Sequence, residues 1–231
     1  MRQIVLDTET TGLSAETGDR IIELGCVELV NRKLTGNNLH FYFNPDRDSH
    51  EDALRVHGIS NEFLRDKPKF AQIADELLAY LEGAELIIHN APFDIAFLNK
   101  ELERLGKGPI TQFVAGVKDT LAMAKDMFPG KRNSLDALCD RLEVDNSGRT
   151  LHGALLDAEL LAEVYLAMTR GQNDLSIDLM GIDSEVEKLK RKPLPTSLVI
   201  QLASIQEQET HKAYLEDVAK AAKKPAIWAD S

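Results

Sequence analysis

The sequence predicts an α/β fold in which a mixed sheet is flanked by helices and is followed by a C-terminal linker and tail. Two observations predict it. Short apolar runs alternate with stretches of helical spacing over residues 1–170, and the composition changes after Thr169. With 231 residues and 43% hydrophobic content, the chain is large enough to bury a core of ordinary size.

The predicted elements begin with three short strands, which indicate an antiparallel start to the sheet. Strand and helix patterns alternate after them, as in proteins whose strands are connected through helices. We predict strands at residues 3–6, 21–30, 38–43, 86–89 and 113–118, and helices at 70–81, 91–105, 120–128, 134–142 and over a Leu- and Ala-rich stretch ending near 169. These elements would form one domain over residues 1–170.

The remainder of the chain is predicted to hold a linker and a tail. Glycines and prolines interrupt a charged stretch that lacks apolar periodicity, so we interpret residues 171–195 as a flexible linker. Ser204 and Glu207 have the spacing of a capping box, which predicts a helix that could run to Lys224. Because residues 196–231 are too few to build their own core, we expect them to fold against a partner.

The net charge of −11 argues against a general nucleic-acid coating protein, because such proteins gain affinity by neutralising phosphates with lysine and arginine. Any contact with nucleic acid must therefore be local. Bound cations can bridge acidic side chains to phosphate, and a partner protein can supply the long-range attraction.

Cysteine usage and hydropathy indicate the compartment. Cys26 and Cys139 lack zinc-type spacing, so we expect buried thiols in a reducing environment. The chain starts with one short apolar run, unlike a signal peptide, and no later run approaches the length of a membrane span. A cytoplasmic location is therefore expected.

An acidic pair, Asp7 and Glu9, is predicted to close the first strand. Residues two apart on a strand point to the same face, so the two carboxylates converge. Two adjacent acids repel each other unless a cation lies between them, and their hard oxygen ligands suit Mg²⁺ or Mn²⁺. Taken alone, the pair is equally compatible with exposed acids at the end of a strand.

A further acid, Asp94, follows the apolar strand predicted at 86–89. Asn90 is expected to cap the next helix, and Pro92 is tolerated in its first turn. Asp94 would then lie at the carboxyl edge of the sheet, where α/β proteins place their sites. The alternative is that Asp94 only stabilises the helix dipole.

The third element is formed by His152 and Asp157. Five residues of helix rotate a side chain by about 140°, so the two groups would diverge if both were helical. We therefore predict that His152 precedes the helix, that Gly153 allows a bend, and that Asp157 lies in the early turns. The alternative is a surface histidine near a loop.

Four carboxylates and one histidine thus stand at the ends of predicted elements, in the order acid-x-Glu, Asp, His-x4-Asp. This order, with the wording Asp-Thr-Glu-Thr-Thr-Gly and His-Asn-Ala-x-Phe-Asp, resembles the DEDD exonucleases of the ribonuclease H-like fold, in the subtype with a histidine before the last aspartate. The resemblance covers residues 1–170. It implies a 3′→5′ exonuclease that hydrolyses phosphodiesters with two divalent cations, Mg²⁺ or Mn²⁺.

The resemblance also implies a role for each residue. Asp7 would bridge the two cations, Glu9 and Asp157 would complete the one on the side of the attacking water, and Asp94 would support the other. His152 would act as the general base, since an imidazole can accept the proton of water near neutral pH.

The same resemblance implies contacts with the terminal nucleotide. Gly12 is expected to let the backbone approach it closely. His57 is less distinctive, because an imidazole in a loop is more often a solvated or capping group, and Phe93 fits an ordinary core equally well. The predicted substrate-binding residues are Thr10, Thr11, Gly12, Leu13, His57, Asn90 and Phe93.

Two C-terminal segments are predicted to bind partners. Gln172, Leu175 and Ile177 resemble the peptide that docks on the bacterial sliding clamp, although an aromatic residue is common where Ile177 stands. The alternative is that Leu175 and Ile177 cover the end of the preceding helix. Trp228 lies in a tail that resembles a segment binding the catalytic subunit of a replicative polymerase, and folding back onto the first domain is the alternative.

Three functions remain open from the sequence. The first is a proofreading exonuclease acting on single-stranded or mismatched DNA 3′ ends, with a small accessory subunit as a further possible partner. The second is a free-standing enzyme that trims RNA or oligonucleotides, which would not need the linker and tail. The third is a non-catalytic adaptor between clamp and polymerase, which would leave the acids and His152 unexplained.

Overall fold

A computed structural model describes residues 1–148, 151–170, 203–222 and 224. The chain divides into two units, Met1–Asp174 and Leu175–Ser231, which are described separately. The predicted linker lies outside the described residues, as do the predicted partner-binding residues Gln172, Leu175, Ile177 and Trp228.

The first unit contains a six-stranded mixed sheet with β1 at its centre. β1 pairs antiparallel with β2 and parallel with β5, which in turn pairs parallel with β6. β3 and β4 both pair antiparallel with the other edge of β2. The strands are β1 (Arg2–Thr10), β2 (Ile21–Val30), β3 (Lys33–Leu34), β4 (Leu39–Tyr42), β5 (Glu85–Ile88) and β6 (Gly116–Asp119).

Helices follow the strands and cover both faces of the sheet. In the first unit they are α1 (Glu51–His57), α2 (Asn61–Leu64), α3 (Phe70–Leu81), α4 (Ala91–Arg104), α5 (Thr120–Met127), α6 (Leu135–Leu142) and α7 (Ala154–Met168). Two 3₁₀ turns, Ala15–Thr17 and Ile110–Gln112, complete the unit. The predicted α/β class with an antiparallel start is confirmed.

Alternating side chains of β1 separate two cores. Ile4 and Leu6 join the core shared with α3 and α4, whereas Val5 joins the core shared with α6 and α7. Since successive residues of a strand point to opposite faces, Asp7 and Glu9 point to the α7 side of the sheet. The acidic pair therefore lies near the end of β1, on the face of the sheet that α7 covers.

Several predicted boundaries need correction. β1 continues to Thr10, so Asp7 and Glu9 lie within the strand and do not follow it. The strand expected at 113–118 begins at Gly116, because Phe113 ends a 3₁₀ turn. The short helices α1 and α2 were not predicted, since four to seven residues are too few to show apolar periodicity.

Both cysteines are buried as expected, and burial raises the pKa of the Cys26 thiol. Across the part of the chain that the structure describes, no helix combines the length and apolar character needed to cross a membrane.

The second unit contains a helix, α8 (Ile205–Ala222). The predicted capping box is confirmed, because the backbone N–H of Ser204 donates to Glu207 Oε2 at 2.8 Å and the backbone N–H of Glu207 donates to Ser204 Oγ at 3.3 Å. None of the residues of α8 is buried among the described residues. The helix therefore has its own start signal but no core within this part of the chain.

Candidate active site

Two acids and a histidine meet where β1 and the start of α7 come together. The ligand atoms of Glu9, His152 and Asp157 all lie within 4.8 Å of one another. His152 Nδ1 is 3.3 Å from Asp157 Oδ2. Two carboxylates and an imidazole at this separation fit a divalent cation, but this set differs from the predicted one, in which the four acids hold the metal and His152 is the base.

The backbone around α7 explains how these groups converge. His152 precedes the helix, Gly153 is its N-cap residue, and Asp157 lies in its first turn, as predicted. The backbone N–H of His152 donates to the Val56 carbonyl at 3.2 Å, which ties this segment to α1. Gly153 has φ −151° and ψ 128°, an extended conformation open to any residue, so the turn into α7 does not depend on the conformational freedom of glycine.

Gly25 of β2 lets α7 approach the sheet beside the acids. Its register partner across the strands is Asp7. A Cβ atom at Gly25 would overlap the carbonyl group of Ala154 and the Cα atom of Leu155, which are backbone atoms in the first turn of α7. The absence of a side chain at Gly25 therefore sets how closely Asp157 can approach Glu9.

Asp94 reaches the site from the opposite face of the sheet. It lies in the first turn of α4, is 3% exposed, and accepts a hydrogen bond of 2.6 Å from Thr8 Oγ1. Burial raises the pKa of Asp94 to about 7, while the hydrogen bond from Thr8 acts in the opposite direction. The site thus straddles the end of β1, with Asp7 and Glu9 on one face and Asp94 on the other.

The four acids and His152 line one pocket of about 520 Å³, which we name the carboxylate pocket. Glu9, Asp94 and Asp157 are buried, whereas the His152 side chain is 45% exposed. The other lining residues are Thr8, His89, Phe93, Leu121, Lys125, Lys131, Asn133, Ser134, Leu135 and Asp136. All five predicted catalytic side chains therefore face one cavity.

A second pocket of about 530 Å³, which we name the apolar pocket, adjoins the first. Thr8, Glu9 and Phe93 line both pockets. Of the predicted substrate contacts, the apolar pocket contains Thr10, Gly12, Leu13, His57 and Phe93. Its remaining lining residues are Ser14, Thr17, Asp19, His50, Asp52, Ala53 and Val56.

Thr11 and Asn90 do not line either pocket in the described part of the chain. Thr11 is fully buried, and its Oγ1 donates to Asp19 at 3.2 Å, so its side chain stabilises the turn after β1. Asn90 is the N-cap residue of α4 with φ 66°, but its side chain makes no capping hydrogen bond. The prediction that the Asn90 side chain caps the helix is therefore wrong.

The physical reasons given for Gly12 and His57 also change. A Cβ atom at Gly12 would overlap the side chains of Asp19 and His50, so the crowding comes from the protein itself. His57 is the last residue of α1, is 4% exposed, and does not lie in a loop. Its Nδ1 accepts a hydrogen bond of 2.9 Å from the Ile59 N–H, and burial lowers the pKa of its imidazole.

Some residues of the site carried no signal that sequence reasoning could use. Thr8 alternates with the acids and so points away from them, and its contact with Asp94 joins residues 86 positions apart. Lys125 and Lys131 resemble ordinary solvated lysines until the fold brings them to the carboxylate pocket. Gly25 did offer a signal, because a glycine inside a predicted strand often marks a close backbone approach, but Gly25 was not among the predicted site residues.

Comparisons with known proteins agree with this geometry. The family model described as Exonuclease matches residues 4–165. The DNA polymerase III subunit epsilon of Escherichia coli (strain K12) is 51% identical over 230 residues, which cover 95% of this chain and 94% of that protein. The subunit epsilon of Pasteurella multocida (strain Pm70) is 58% identical over 178 residues, which cover 75% and 70%.

Solved structures are also similar. Exonuclease X in complex with 5′ overhanging duplex DNA has a TM-score of 0.58 and 25% identity, and the match covers 74% of this chain and 92% of that chain. The zinc-bound form of the E. coli ExoI-ssDNA complex has a TM-score of 0.65 and 19% identity, covering 74% of this chain and 41% of that chain. The second likeness bears on the fold alone.

Proposed function

Since the chain belongs to the exonuclease family, together with the epsilon subunits of DNA polymerase III, it is a nuclease, and we propose that it removes misincorporated nucleotides from DNA 3′ ends. One observation supports this assignment most directly: Asp7, Glu9, Asp94, Asp157 and His152 all line the carboxylate pocket at the end of β1. We assign the catalytic domain to residues 1–170.

The acids of this pocket fit two divalent cations, Mg²⁺ or Mn²⁺. Asp7, Glu9, Asp94 and Asp157 would hold them through carboxylate oxygens, the ligands that both ions prefer. When bound, the cations stabilise the charge that develops on the phosphate and lower the pKa of water.

His152 is the proposed general base. Its imidazole is 45% exposed and lies 3.3 Å from Asp157, so water can reach it while the carboxylate orients the ring. The attacking water gives its proton to His152 as its oxygen bonds to phosphorus. The bond from phosphorus to the O3′ of the preceding nucleotide breaks, and the departing O3′ takes a proton from solvent water. This step releases a nucleoside 5′-monophosphate and leaves a new 3′-hydroxyl.

The apolar pocket is proposed to hold the terminal nucleotide. It adjoins the carboxylate pocket, with which it shares Thr8, Glu9 and Phe93. Leu13 is 88% exposed, so it offers an apolar surface to a base without disturbing the core. An unpaired end enters such a pocket more readily than a paired one, because unpairing costs least at a mismatch.

We further propose that the C-terminal part of the chain joins the nuclease to a replicative polymerase. The relatives are named as subunits of DNA polymerase III, which supports this partner. Gln172, Leu175 and Ile177 are the proposed contacts with the sliding clamp, and Trp228 is the proposed contact with the polymerase catalytic subunit. A small accessory subunit on the catalytic domain and a cytoplasmic location complete the proposal.

The test is digestion of 5′-labelled DNA with paired or mismatched 3′ ends in the presence of Mg²⁺. The wild type should shorten the mismatched substrate faster, and Asp7→Ala should lower the rate by about 10³-fold or more. Asp75→Ala is the matched control, because Asp75 is an exposed acid on α3 that lines neither pocket. Absence of digestion by the wild type in either Mg²⁺ or Mn²⁺ would refute the proposal, and preference for short RNA would favour the trimming enzyme.

A further inference from the structure

Two lysines stand among the acids of the carboxylate pocket. Lys125 lies near the end of α5, and Lys131 lies in the turn before α6. Both side chains are exposed, and no ion pair of either one is found among the described residues. By contrast, Lys107 pairs with Asp75 at 2.7 Å and Lys69 pairs with Asp46 at 2.7 Å.

The charge of the pocket makes these lysines informative. Five acids, Asp7, Glu9, Asp94, Asp136 and Asp157, face the two lysines, so the formal charge of the lining is −3. Two divalent cations would bring it to +1. The bound cations neutralise the charge of the carboxylates, so the lysines remain available to bind another anion. A chain with a net charge of −11 repels the phosphates of nucleic acid at long range, whereas two such lysines would attract them at the site.

The order of the strands shows on which side the lysines lie. Along the sheet the order is β2, β1, β5 and β6. The apolar pocket is built by the end of β1, the turn that follows it and α1, and neither lysine lines it. The lysines follow β6 in the chain, so β5 and its following residue His89 lie between them and β1. Glu9 lines both pockets and therefore stands nearer to the apolar pocket than either lysine does.

Resting on the proposed function, we infer that Lys125 and Lys131 bind phosphates of the DNA strand on the 5′ side of the bond that is cut. The terminal nucleotide occupies the apolar pocket, the phosphate to be attacked lies at the acids, and the preceding nucleotides cross the lysines. Lysine binds phosphate as a compact charge and does not read the base, so these contacts serve every sequence.

The experiment compares a substrate that has an upstream strand with one that has none. One is a single-stranded DNA oligonucleotide, and the other is the p-nitrophenyl ester of thymidine 5′-monophosphate, which has no nucleotide on the 5′ side. For the oligonucleotide, each of Lys125→Ala and Lys131→Ala should raise KM about fivefold. The double variant should also make the dependence of log KM on log salt shallower by about 1.4, at about 0.7 per phosphate contact on a single strand.

The ester should be hydrolysed by the double variant with a kcat/KM within about twofold of the wild type, because no upstream phosphate is present. Lys33→Ala is the matched control, since Lys33 is an exposed lysine on β3 that lines neither pocket. It should leave both substrates and the salt dependence unchanged.

Three results would overturn the inference. If the double variant behaves like Lys33→Ala on the oligonucleotide, the lysines do not bind the strand, whereas the ester would still report the proposed function. An equal loss on both substrates would show that the lysines act on the catalytic centre itself. If the wild type hydrolyses neither substrate, the proposed function fails and the inference fails with it.

Discussion

The carboxylate pocket and the apolar pocket are nearly equal in size, about 520 and 530 Å³, but they are built differently. In the carboxylate pocket, Glu9, Asp94 and Asp157 are each no more than 9% exposed and are fixed by β1 and by the first turns of two helices. In the apolar pocket, Leu13 is 88% exposed on the turn after β1. The acids of the carboxylate pocket are therefore held in place by packing, whereas the apolar pocket presents an exposed side chain to solvent.

This difference indicates how each pocket should respond to substitutions. A rate that depends on several atoms meeting at one place is sensitive to small displacements of the backbone. A surface that contacts a nucleotide loses only the area that is removed. Changes that displace the acids of the carboxylate pocket should therefore lower kcat, whereas changes in the apolar pocket should raise KM.

Among changes that leave every catalytic residue in place, the largest effect is expected from Gly25→Ala, since Gly25 does not line the carboxylate pocket. The new methyl group would overlap backbone atoms of Ala154 and Leu155 and displace the first turn of α7, which carries Asp157. Because a displacement of about 1 Å can cost about 100-fold in rate, we expect kcat to fall about 100-fold. Steady-state kinetics on single-stranded DNA would measure it, with thermal unfolding to confirm that the variant is folded.

Gly116→Ala in β6 is the control for this change. It also adds one methyl group to a glycine inside a strand, but no atom lies within 4 Å of the position that its Cβ would take. Its kcat should match the wild type. If Gly25→Ala also retained full kcat, the start of α7 would be adaptable, and the contrast between the two pockets would fail.

A smaller effect is expected from Thr8→Val, which keeps the shape of the side chain but removes its hydroxyl. Asp94 would lose a hydrogen bond of 2.6 Å that orients its carboxylate. Groups that orient metal ligands typically contribute 10–100-fold in affinity, so the Mn²⁺ concentration for half-maximal rate should rise about tenfold. The rate at saturating Mn²⁺ should fall much less.

Thr169→Val is the matched control for Thr8→Val. Thr169 Oγ1 donates a hydrogen bond of 2.7 Å to the Tyr165 carbonyl, and Thr169 lines neither pocket. An equal change in Mn²⁺ dependence in both variants would show a general loss of stability. The hydrogen bond from Thr8 would then have no specific role in binding the metal.

The sequence predicted the bounds of several elements and the positions of the acids within them, because both depend on residues that are neighbours in the chain. The helix over 70–81 and the strand over 21–30 agree residue for residue with α3 and β2, since periodicity is a property of neighbouring residues. The acids could be found because each of them lies at or near the end of an element. His152 and Asp157 were placed correctly by helix geometry alone.

What the sequence could not predict depends on contacts between distant residues. Thr8 faces away from Asp7 along β1, and only the packing of α4 against the opposite face of the sheet brings Asp94 to it. Asn90 has the side chain of a good cap, yet its left-handed backbone directs that side chain elsewhere. Local propensity does not contain this information, because tertiary packing overrides it.

The smallest effect is expected from Leu13→Ala, in the apolar pocket. Because Leu13 is 88% exposed, the change should leave the unfolding temperature as it is. Loss of about 1 kcal/mol of apolar contact with the terminal nucleotide should raise KM about fivefold. An interaction that is equal in the ground state and in the transition state affects KM alone, so kcat should not change.

Leu34→Ala on β3 is the control for Leu13→Ala, since Leu34 is 54% exposed and lines neither pocket. Its KM should match the wild type. A fall in kcat for Leu13→Ala would mean that the turn after β1 also positions the reacting phosphate. The two pockets would then act as one, because their shared wall of Thr8, Glu9 and Phe93 would transmit displacements from the surface to the acids.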